Sequence, residues 1–286
     1  MITLYTAFIS LKASTNLVWC LSPDETSVYC MSSPATLRKA EALTDAKQLV
    51  DIGSGFAIVL TTDAKLILLK YDGKKILKTQ VASLGDRSID CLVKKGDSIR
   101  LFAGSVQIGQ VARHDQSIRI SPLTKNETSS DKVFDLCASD GSLIISRESL
   151  METTISRIFA LRPASRLLTP LCESLPNSRI LWARKSDGNV IAFANDGIVE
   201  IRANVAAYTE RFNERCLDAS NVGSRECLLF PQYLLLRGHK NKTSNSKGWS
   251  RINLQFKTDE TARALVVYHD EFYIISSADR LFKASK

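Results

Sequence analysis

Two histidines are each followed by an aspartate, at His114-Asp115 and His269-Asp270, and such pairs are candidates for acid–base catalysis. In catalytic sites of this kind an aspartate accepts a hydrogen bond from the imidazole and orients it. Adjacent residues of a strand point to opposite faces of a sheet, so neither pair forms this arrangement by itself. We interpret both pairs as strand-end and turn residues, and we predict that the chain is not an enzyme.

A glycine pair at Gly53-Ser54-Gly55 could begin a nucleotide-binding loop. Such a loop needs a third glycine and a following helix, whereas residues 56 to 60 have the apolar, β-branched composition of a strand. We therefore predict a hairpin turn at this position. No C-x-x-C pair occurs and the three histidines are scattered, so we predict no metal site and no cofactor.

The chain has seven cysteines, an odd number that cannot all pair within one molecule. Most of them lie in apolar, strand-like segments, which indicates buried free thiols in a reducing compartment. They are Cys20, Cys30, Cys91, Cys137, Cys172, Cys216 and Cys227.

A basic segment near the C-terminus spans 15 residues without an acid and includes aromatic side chains. It contains Arg237, Lys240, Lys242, Lys247 and Arg251, with His239 and Trp249 interleaved. Lysine and arginine can neutralise phosphates, and a tryptophan can stack on a base. The segment is therefore a candidate contact for nucleic acid or for an acidic partner. The alternative interpretation is an exposed, solvated loop.

A second basic cluster, with Asp72 as its only acid, comprises Lys65, Lys70, Lys74, Lys75 and Lys78. It could also contact an acidic partner, or its lysines could prevent a hairpin edge from pairing with other chains. The whole chain has 38 Lys plus Arg against 30 Asp plus Glu, a net charge of +8. Between residues 65 and 119 the count is 11 basic and 5 acidic, so the positive field is local and favours acidic partners.

The elements that must position these residues are short strands. Runs of about 4 to 8 residues rich in Val, Ile, Leu, Tyr and Phe alternate with Asp-Gly and similar turns, as in the Asn195-Asp196-Gly197 hairpin. One segment, Val205 to Leu217, has apolar residues at helical spacing and predicts a short amphipathic helix packed on the rim of the fold. The alternative is a helix that binds a partner. The composition, 44% hydrophobic and 24% charged, is typical of a globular protein.

Turn residues recur at regular intervals along the chain. Taking the turn before the presumed last strand of each unit gives intervals of 41, 36, 56, 42 and 41 residues between Asp63, Gly104, Asp140, Asp196, Gly238 and Asp279. With an earlier unit around Ser22 to Pro34 the count is seven, which is typical of a β-propeller with four strands per unit. We predict one propeller domain over residues 1–286, closed by a strand at Thr3 to Ile9 pairing beside Phe272 to Ser277.

Val18 to Glu25 and Thr62 to Asp72 each combine an apolar strand with a polar turn, and with two further segments they resemble degenerate repeats of the WD-type β-propeller family. Val18 to Glu25 resembles the family's strand followed by a Ser-Pro-Asp-Gly turn, and Ser186 to Asn189 is similar. Thr62 to Asp72 places Tyr-Asp where the family usually ends in Trp-Asp, and Ser276 to Lys283 has a matching S-x-D turn. The chain contains no Trp-Asp pair, and its single Gly-His, at 238–239, precedes a lysine-rich segment. The resemblance therefore implies the architecture and transfers no catalytic residue.

The function that we predict is that of a non-catalytic scaffold, which mediates protein–protein interactions within a larger complex. The basic character favours a nuclear or nucleolar ribonucleoprotein complex over a cytoplasmic one, and no apolar run approaches the roughly 20 residues of a membrane span. The alternative is direct nucleic-acid binding by the two basic clusters. An enzyme with a site in the axial channel is the third and least favoured hypothesis.

Overall fold

The described part of the chain is made of β-strands. The computed structural model describes residues 17–21, 27–40, 43, 45–85, 88–95, 98–123, 136–138, 143–150, 153–161, 166–173, 175–176, 178–223, 225–238 and 248–284. Within these residues no helix is long and apolar enough to cross a membrane. The predicted all-β class is confirmed.

The strands form seven antiparallel sheets in chain order. The first three sheets contain β1 (Val18–Leu21), β2 (Val28–Ser33), β3 (Thr36–Lys39); β4 (Ala46–Gly53), β5 (Phe56–Thr61), β6 (Leu66–Tyr71), β7 (Ile76–Ala82); and β8 (Cys91–Lys95), β9 (Ser98–Ala103), β10 (Val106–His114), β11 (Ser117–Pro122). The fourth and fifth contain β12 (Leu136–Ala138), β13 (Leu143–Leu150), β14 (Thr153–Leu161), β15 (Leu168–Pro170), β16 (Leu175–Pro176); and β17 (Ile180–Ser186), β18 (Asn189–Ala194), β19 (Gly197–Arg202), β20 (Val205–Arg211). The last two contain β21 (Asp218–Val222), β22 (Arg225–Leu229), β23 (Tyr233–Gly238), β24 (Ser250–Asn253); and β25 (Ala262–Tyr268), β26 (Glu271–Ser276), β27 (Leu281–Lys283).

Apolar clusters between consecutive sheets close these seven units into a ring. Ile58 of the second sheet packs with Leu101 of the third, and each following pair of sheets shares a similar buried cluster. The last such cluster joins Val266 and Ile275 of the seventh sheet to Cys20 and Met31 of the first. A sheet with two apolar faces needs a neighbour on both sides, and a ring provides one for every sheet. The predicted seven-bladed β-propeller is confirmed.

Strand direction divides the surface of the ring into two faces. Consecutive strands are antiparallel, so turns from first to second and from third to fourth strands share one face, which we call the hairpin face. Turns from second to third strands and the connections between sheets lie on the opposite, crossover face. The turns at Asp63, Asp196 and Asp279 are on the crossover face, and the turn at Asp72 to Lys75 is on the hairpin face.

The first sheet differs from the complete sheets in the strand position at which its described part begins. Ser32, near the end of β2, approaches the Tyr71 hydroxyl at 3.3 Å and accepts a hydrogen bond from the Tyr268 hydroxyl at 3.0 Å. Tyr71 and Tyr268 end a third and a first strand, and both ends are on the hairpin face. The strands β1, β2 and β3 therefore run like the second, third and fourth strands of the complete sheets.

The predicted pairing of the chain ends is wrong in one respect. Residues Thr3 to Ile9 lie outside the described part, but β26 hydrogen-bonds to β25 on one side and to β27 on the other. Both edges of β26 are occupied, so a further strand cannot pair beside Phe272 to Ser277.

The predicted helix from Val205 to Leu217 is also wrong. Residues 205–211 form β20, whose side chains alternate between exposed and half-buried and which pairs with β19 from Arg202↔Val205 to Gly197↔Arg211. A short isolated helix is marginally stable, whereas an outer strand gains a ladder of hydrogen bonds from an existing sheet. Phe212 and Cys216 then pack between the fifth and sixth sheets.

The spacing of turns is confirmed for most units, with one correction. Asp63, Gly104, Asp196 and Asp279 all lie in turns between second and third strands. In the second, third and fifth sheets a fourth strand follows, so these turns do not precede the last strand, whereas β27 is the last described strand of the seventh sheet. Gly238 instead ends β23, and the corresponding turn of the sixth sheet is Pro231 to Gln232. Asp140 and residues 22 to 26 lie outside the described part.

Six of the cysteines are buried free thiols, as predicted: Cys20, Cys30, Cys91, Cys172, Cys216 and Cys227. Burial raises the pKa of the Cys30 thiol to about 12, so this residue is protonated at neutral pH. The side chain of Cys137 lies outside the described part.

Candidate partner-binding surface

Arg237, from the C-terminal basic segment, is held by a buried carboxylate. It is the next-to-last residue of β23, and its Nε donates to Glu226 Oε2 at 2.7 Å. The other oxygen of Glu226 accepts hydrogen bonds at 2.9 and 2.7 Å from Nε and Nη2 of Arg184, in the neighbouring sheet. The Glu226 side chain is only 2% exposed, so this pair of arginines compensates its burial.

Trp249 is anchored within the fold. Its Nε1 donates to Glu210 Oε2 at 3.0 Å, and the Arg237 guanidinium lies 4.3 Å from the ring centre. The ring also packs against the apolar cluster between the fifth and sixth sheets. A nucleobase stacking on Trp249 would have to share a ring that already contacts these groups.

The remaining residues of this segment divide between the described and the undescribed parts. Arg251 is exposed, with its guanidinium 3.6 Å from the Tyr233 ring centre and its Nε donating to Asn253 Oδ1 at 2.9 Å. Lys240, Lys242 and Lys247 lie outside the described residues, between the end of β23 and Gly248.

The structure separates the members of the second basic cluster. Lys65 precedes β6 on the crossover face and pairs with Asp63 at 2.6 Å. Lys70, Lys74 and Lys75 lie at the other end of β6, on the hairpin face. The strand has 6 residues, and at 3.3 Å per residue these two ends are about 20 Å apart. Lys78 is exposed on the outer strand β7.

Three cations from outside the two basic clusters of the sequence join Lys70, Lys74 and Lys75. We call the six together the basic hairpin patch: Arg38, Lys70, Lys74, Lys75, Lys94 and Arg113. Arg38 Nε donates to the Lys74 carbonyl at 3.1 Å, and Lys94 Nζ donates to the Asp51 carbonyl at 2.6 Å. The patch therefore combines side chains of the first three sheets.

The Phe56 ring supports two of these cations. The Arg113 guanidinium lies 4.2 Å from the ring centre, and Lys70 Nζ lies 5.6 Å from it. Arg113 Nη1 also donates to the Gly53 carbonyl at 3.1 Å, and its Nε donates to the Asp115 carbonyl at 2.8 Å. Lys70 Nζ donates to Gln116 Oε1 at 3.3 Å. These contacts fix the direction of both side chains.

A positional signal in the sequence could have revealed Arg113. Lys70, Arg113 and Arg237 are each the next-to-last residue of the third strand of their sheet. An alignment of the repeats by strand, instead of by charge density, would have placed all three on one face of the ring.

Two acidic side chains near the patch, Asp72 and Asp51, accept hydrogen bonds from backbone amides. The Asp72 carboxylate accepts hydrogen bonds from the backbone amides of Lys75 at 2.8 Å and Lys74 at 2.9 Å, and these bonds hold its pKa below the ordinary value. Burial raises the pKa of Asp51, while a hydrogen bond from the Gly53 amide and the charge of Lys94 oppose that shift.

Outside the patch, cations pair with carboxylates on both faces of the ring, and Glu226 pairs with two arginines on the hairpin face. Several more pairs lie on the crossover face. Described examples are Lys65 with Asp63, Arg211 with Asp196, Lys39 and Arg263 with Asp279, and Arg280 with Glu260. In the basic hairpin patch, Arg38, Lys70, Lys94 and Arg113 donate to carbonyl or amide oxygens, which carry no net charge. The charges of Arg38, Lys70 and Arg113 are therefore not neutralised by their hydrogen-bond acceptors, whereas Lys94 also interacts with the Asp51 carboxylate.

The candidates for catalysis lie in hairpins. His114 ends β10 and His269 lies in the turn before β26, with φ values of 50° at Asp115, 47° at His269 and 60° at Asp270. Gly53-Ser54-Gly55 is the turn between β4 and β5, as predicted, with φ between 54° and 80°. Among the described residues, no group of three or more His, Cys, Asp or Glu side chains could hold a metal ion.

Comparison with known proteins shows that the chain is similar to several solved structures in its fold. No protein-family model matches the sequence, and no curated protein matches it significantly. The structure "YCF48 bound to D1 peptide" matches with a TM-score of 0.61 and 11% identity, over 100% of this chain and 94% of that chain. A chain of the mitotic checkpoint complex matches with a TM-score of 0.57 and 11% identity, over 100% and 87%. Raptor from Chaetomium thermophilum matches with a TM-score of 0.56 and 10% identity, over 99% and 28%. At these identities the likeness establishes the propeller fold.

Proposed function

We propose that this propeller is a non-catalytic scaffold that binds protein partners in a larger assembly. The observation that carries the proposal is the hairpin face, where six exposed or half-buried cations from three sheets lie together and four of them donate to neutral oxygens. Charged surfaces of this kind steer and orient an oppositely charged partner. The solved structure of a similar propeller, YCF48, contains a bound peptide, which supports the same kind of role here.

A nuclear or nucleolar ribonucleoprotein assembly is the setting that we propose. Its support is the net charge of +8, which favours acidic partners and allows secondary contacts with RNA. Localisation of the full chain in cells tests this setting independently of partner binding.

Co-purification of the tagged full chain at physiological salt, with and without nuclease, tests the scaffold. We expect stoichiometric protein partners to remain after nuclease treatment, because direct protein contacts do not depend on nucleic acid. Loss of all partners with the nucleic acid would reject the scaffold.

Direct nucleic-acid binding is the second candidate. It is favoured by one observation: Arg237 and the turn from Lys70 to Lys75 reach the same face of the ring. If phosphate contacts dominate, log K falls by about 0.7 to 0.9 per contact for each tenfold increase in salt. Replacing Lys240, Lys242 and Lys247 by Glu should then abolish binding to a single-stranded RNA, and full retention would remove this candidate.

A further inference from the structure

We propose that the basic hairpin patch is the docking site for an acidic peptide segment of a partner protein. This inference rests on the proposed scaffold function and specifies its surface and its ligand chemistry. It assigns a role to Arg38, Lys94 and Arg113, which the charge clusters of the sequence do not include.

Two of the cations, Arg113 and Lys70, are held in place before a partner binds. Arg113 is fixed by two backbone carbonyls and the Phe56 ring, and Lys70 is fixed by Gln116 and the same ring. Phe56 itself is 4% exposed, so the support beneath both cations is part of the core. Binding through preordered side chains loses less conformational entropy than binding through free ones.

The turn from Asp72 to Lys75 presents the two exposed lysines of the patch. Both lysine amides bind the Asp72 carboxylate, which fixes the backbone of the turn, while the side chains of Lys74 and Lys75 are exposed. Arg38 adds a third contact to this turn through the Lys74 carbonyl. A carboxylate of the partner would therefore meet a turn of defined geometry.

A peptide fits this patch better than a polyphosphate chain. Asp72 and Asp115 are exposed within the patch, and they would repel the regularly spaced charges of a nucleic acid, whereas a peptide can place neutral residues beside them. Single-stranded nucleic acids also bind through stacking on exposed aromatic rings. Phe56, the ring at the centre of the patch, is buried beneath Arg113 and offers no such platform.

Fluorescence anisotropy with the full chain tests the site. The probes are a labelled Glu-rich peptide with interspersed glycine and serine, and a labelled oligouridylate of equal formal charge, both at physiological ionic strength. The patch variant is Lys74→Glu/Lys75→Glu and the control is Lys65→Glu/Lys257→Glu, two exposed residues of the crossover face. Each lysine-to-glutamate change lowers the charge by two, so both variants fall from +8 to +4.

We expect the peptide to bind more tightly than the oligouridylate. The patch variant should weaken peptide binding by about tenfold or more, and the control should change it by less than about threefold, since only local pairs contribute strongly at this salt. Lys74→Gln/Lys75→Gln, which removes the charges without reversing them, should give an intermediate loss. A melting temperature equal to that of the unmodified chain verifies that each variant is folded.

Three results would overturn the proposal. If peptide binding is weakened equally in the patch variant and in the control, the peptide is attracted to the net charge of the protein and not to the patch. Tighter binding of the oligouridylate, lost in the patch variant, would identify a nucleic-acid surface. Absence of binding to either probe would remove the site. None of these rejects the scaffold, because partners that co-purify after nuclease with both variants would show that the scaffold uses another surface.

Discussion

At the scale of single residues, Glu226 is the buried carboxylate that joins two sheets. It accepts hydrogen bonds from Arg184 of the fifth sheet and Arg237 of the sixth, and its side chain is 2% exposed. Arg237, which the sequence marks as a surface cation, is therefore also part of the internal structure. Substitution of Arg237 would change the stability of the fold as well as the affinity for any ligand, so Arg237 is a poor probe of binding.

Glu226→Gln should lower the free energy of unfolding by about 2 to 4 kcal/mol, since both guanidinium groups lose their charged partner in a partly buried position. Urea denaturation measures the change. Glu200→Gln is the matched control, because its ion pair with Arg202 leaves the arginine 72% exposed. It should cost less than about 1 kcal/mol. Equal effects of the two variants would contradict a structural role for Glu226.

At the scale of elements, β20 shows why local pattern can mislead. Apolar residues at 205, 208, 212 and 216 fit a helical face, yet the first two belong to a strand and the last two to the chain that follows it. Tyr208 bonds Ser178 at 2.6 Å and Asp196 at 2.9 Å, which fixes the strand against its own sheet and the connection before it. The available sheet edge, and not the spacing of side chains, decided the element.

Gly197→Ala tests this assignment. A Cβ at position 197 would collide with the backbone carbonyl of Glu210, because β20 passes directly beside this glycine. We expect a loss of about 1 to 3 kcal/mol in stability, as β20 must shift to relieve the collision. Gly238→Ala is the control, since a Cβ there has open space and the change should be within about 0.5 kcal/mol. A stable Gly197→Ala variant would argue against the pairing of β19 with β20.

At the scale of the whole molecule, closure of the ring combines an apolar and a polar contact. The apolar contact is the cluster between the first and seventh sheets. The polar contact centres on Asp279, which accepts a hydrogen bond from the Tyr29 hydroxyl and pairs with Lys39 at 3.2 Å and Arg263 at 3.1 Å. Tyr29 and Lys39 belong to the first sheet, so Asp279 links the two ends of the described chain.

Because of this polar contact, we expect the stability of the protein to fall at acid pH. Burial raises the pKa of Asp279, but the hydrogen bonds from Tyr29 and Lys39 outweigh it, so the pKa lies below the ordinary value of 3.8. A depressed pKa contributes stability that is complete above the ordinary value and is lost as pH falls through the lower, folded value. We therefore expect the melting temperature to fall below about pH 4, and to fall less steeply in Asp279→Asn.

The control for this prediction is Asp259→Asn, which changes an exposed aspartate in the turn before β25. Its pH profile should match that of the unmodified chain. An Asp279→Asn profile that also matches, with an equally steep fall at acid pH, would show that Asp279 does not contribute to closure.

The sequence alone determined the strand composition and the number of units. Strand periodicity and turn chemistry are local properties, and their recurrence about every 41 residues is sufficient to predict seven sheets in a ring. The burial of the cysteines follows from the same local patterns. Local sequence does not show why residues 205–211 form a strand. They pair with the free edge of β19, and that edge exists only once the rest of the sheet has formed.

Only the tertiary structure decided which charges share a surface. Lys65 and Lys70 are neighbours in sequence but lie at opposite ends of β6, while Arg113 comes from the next sheet to contact Phe56 beside Lys70. The direction of a strand sets the face on which its end emerges, and the packing of sheets brings together residues about one repeat apart. A charge cluster read along the chain therefore locates basic segments, whereas the binding surface depends on how the ring closes.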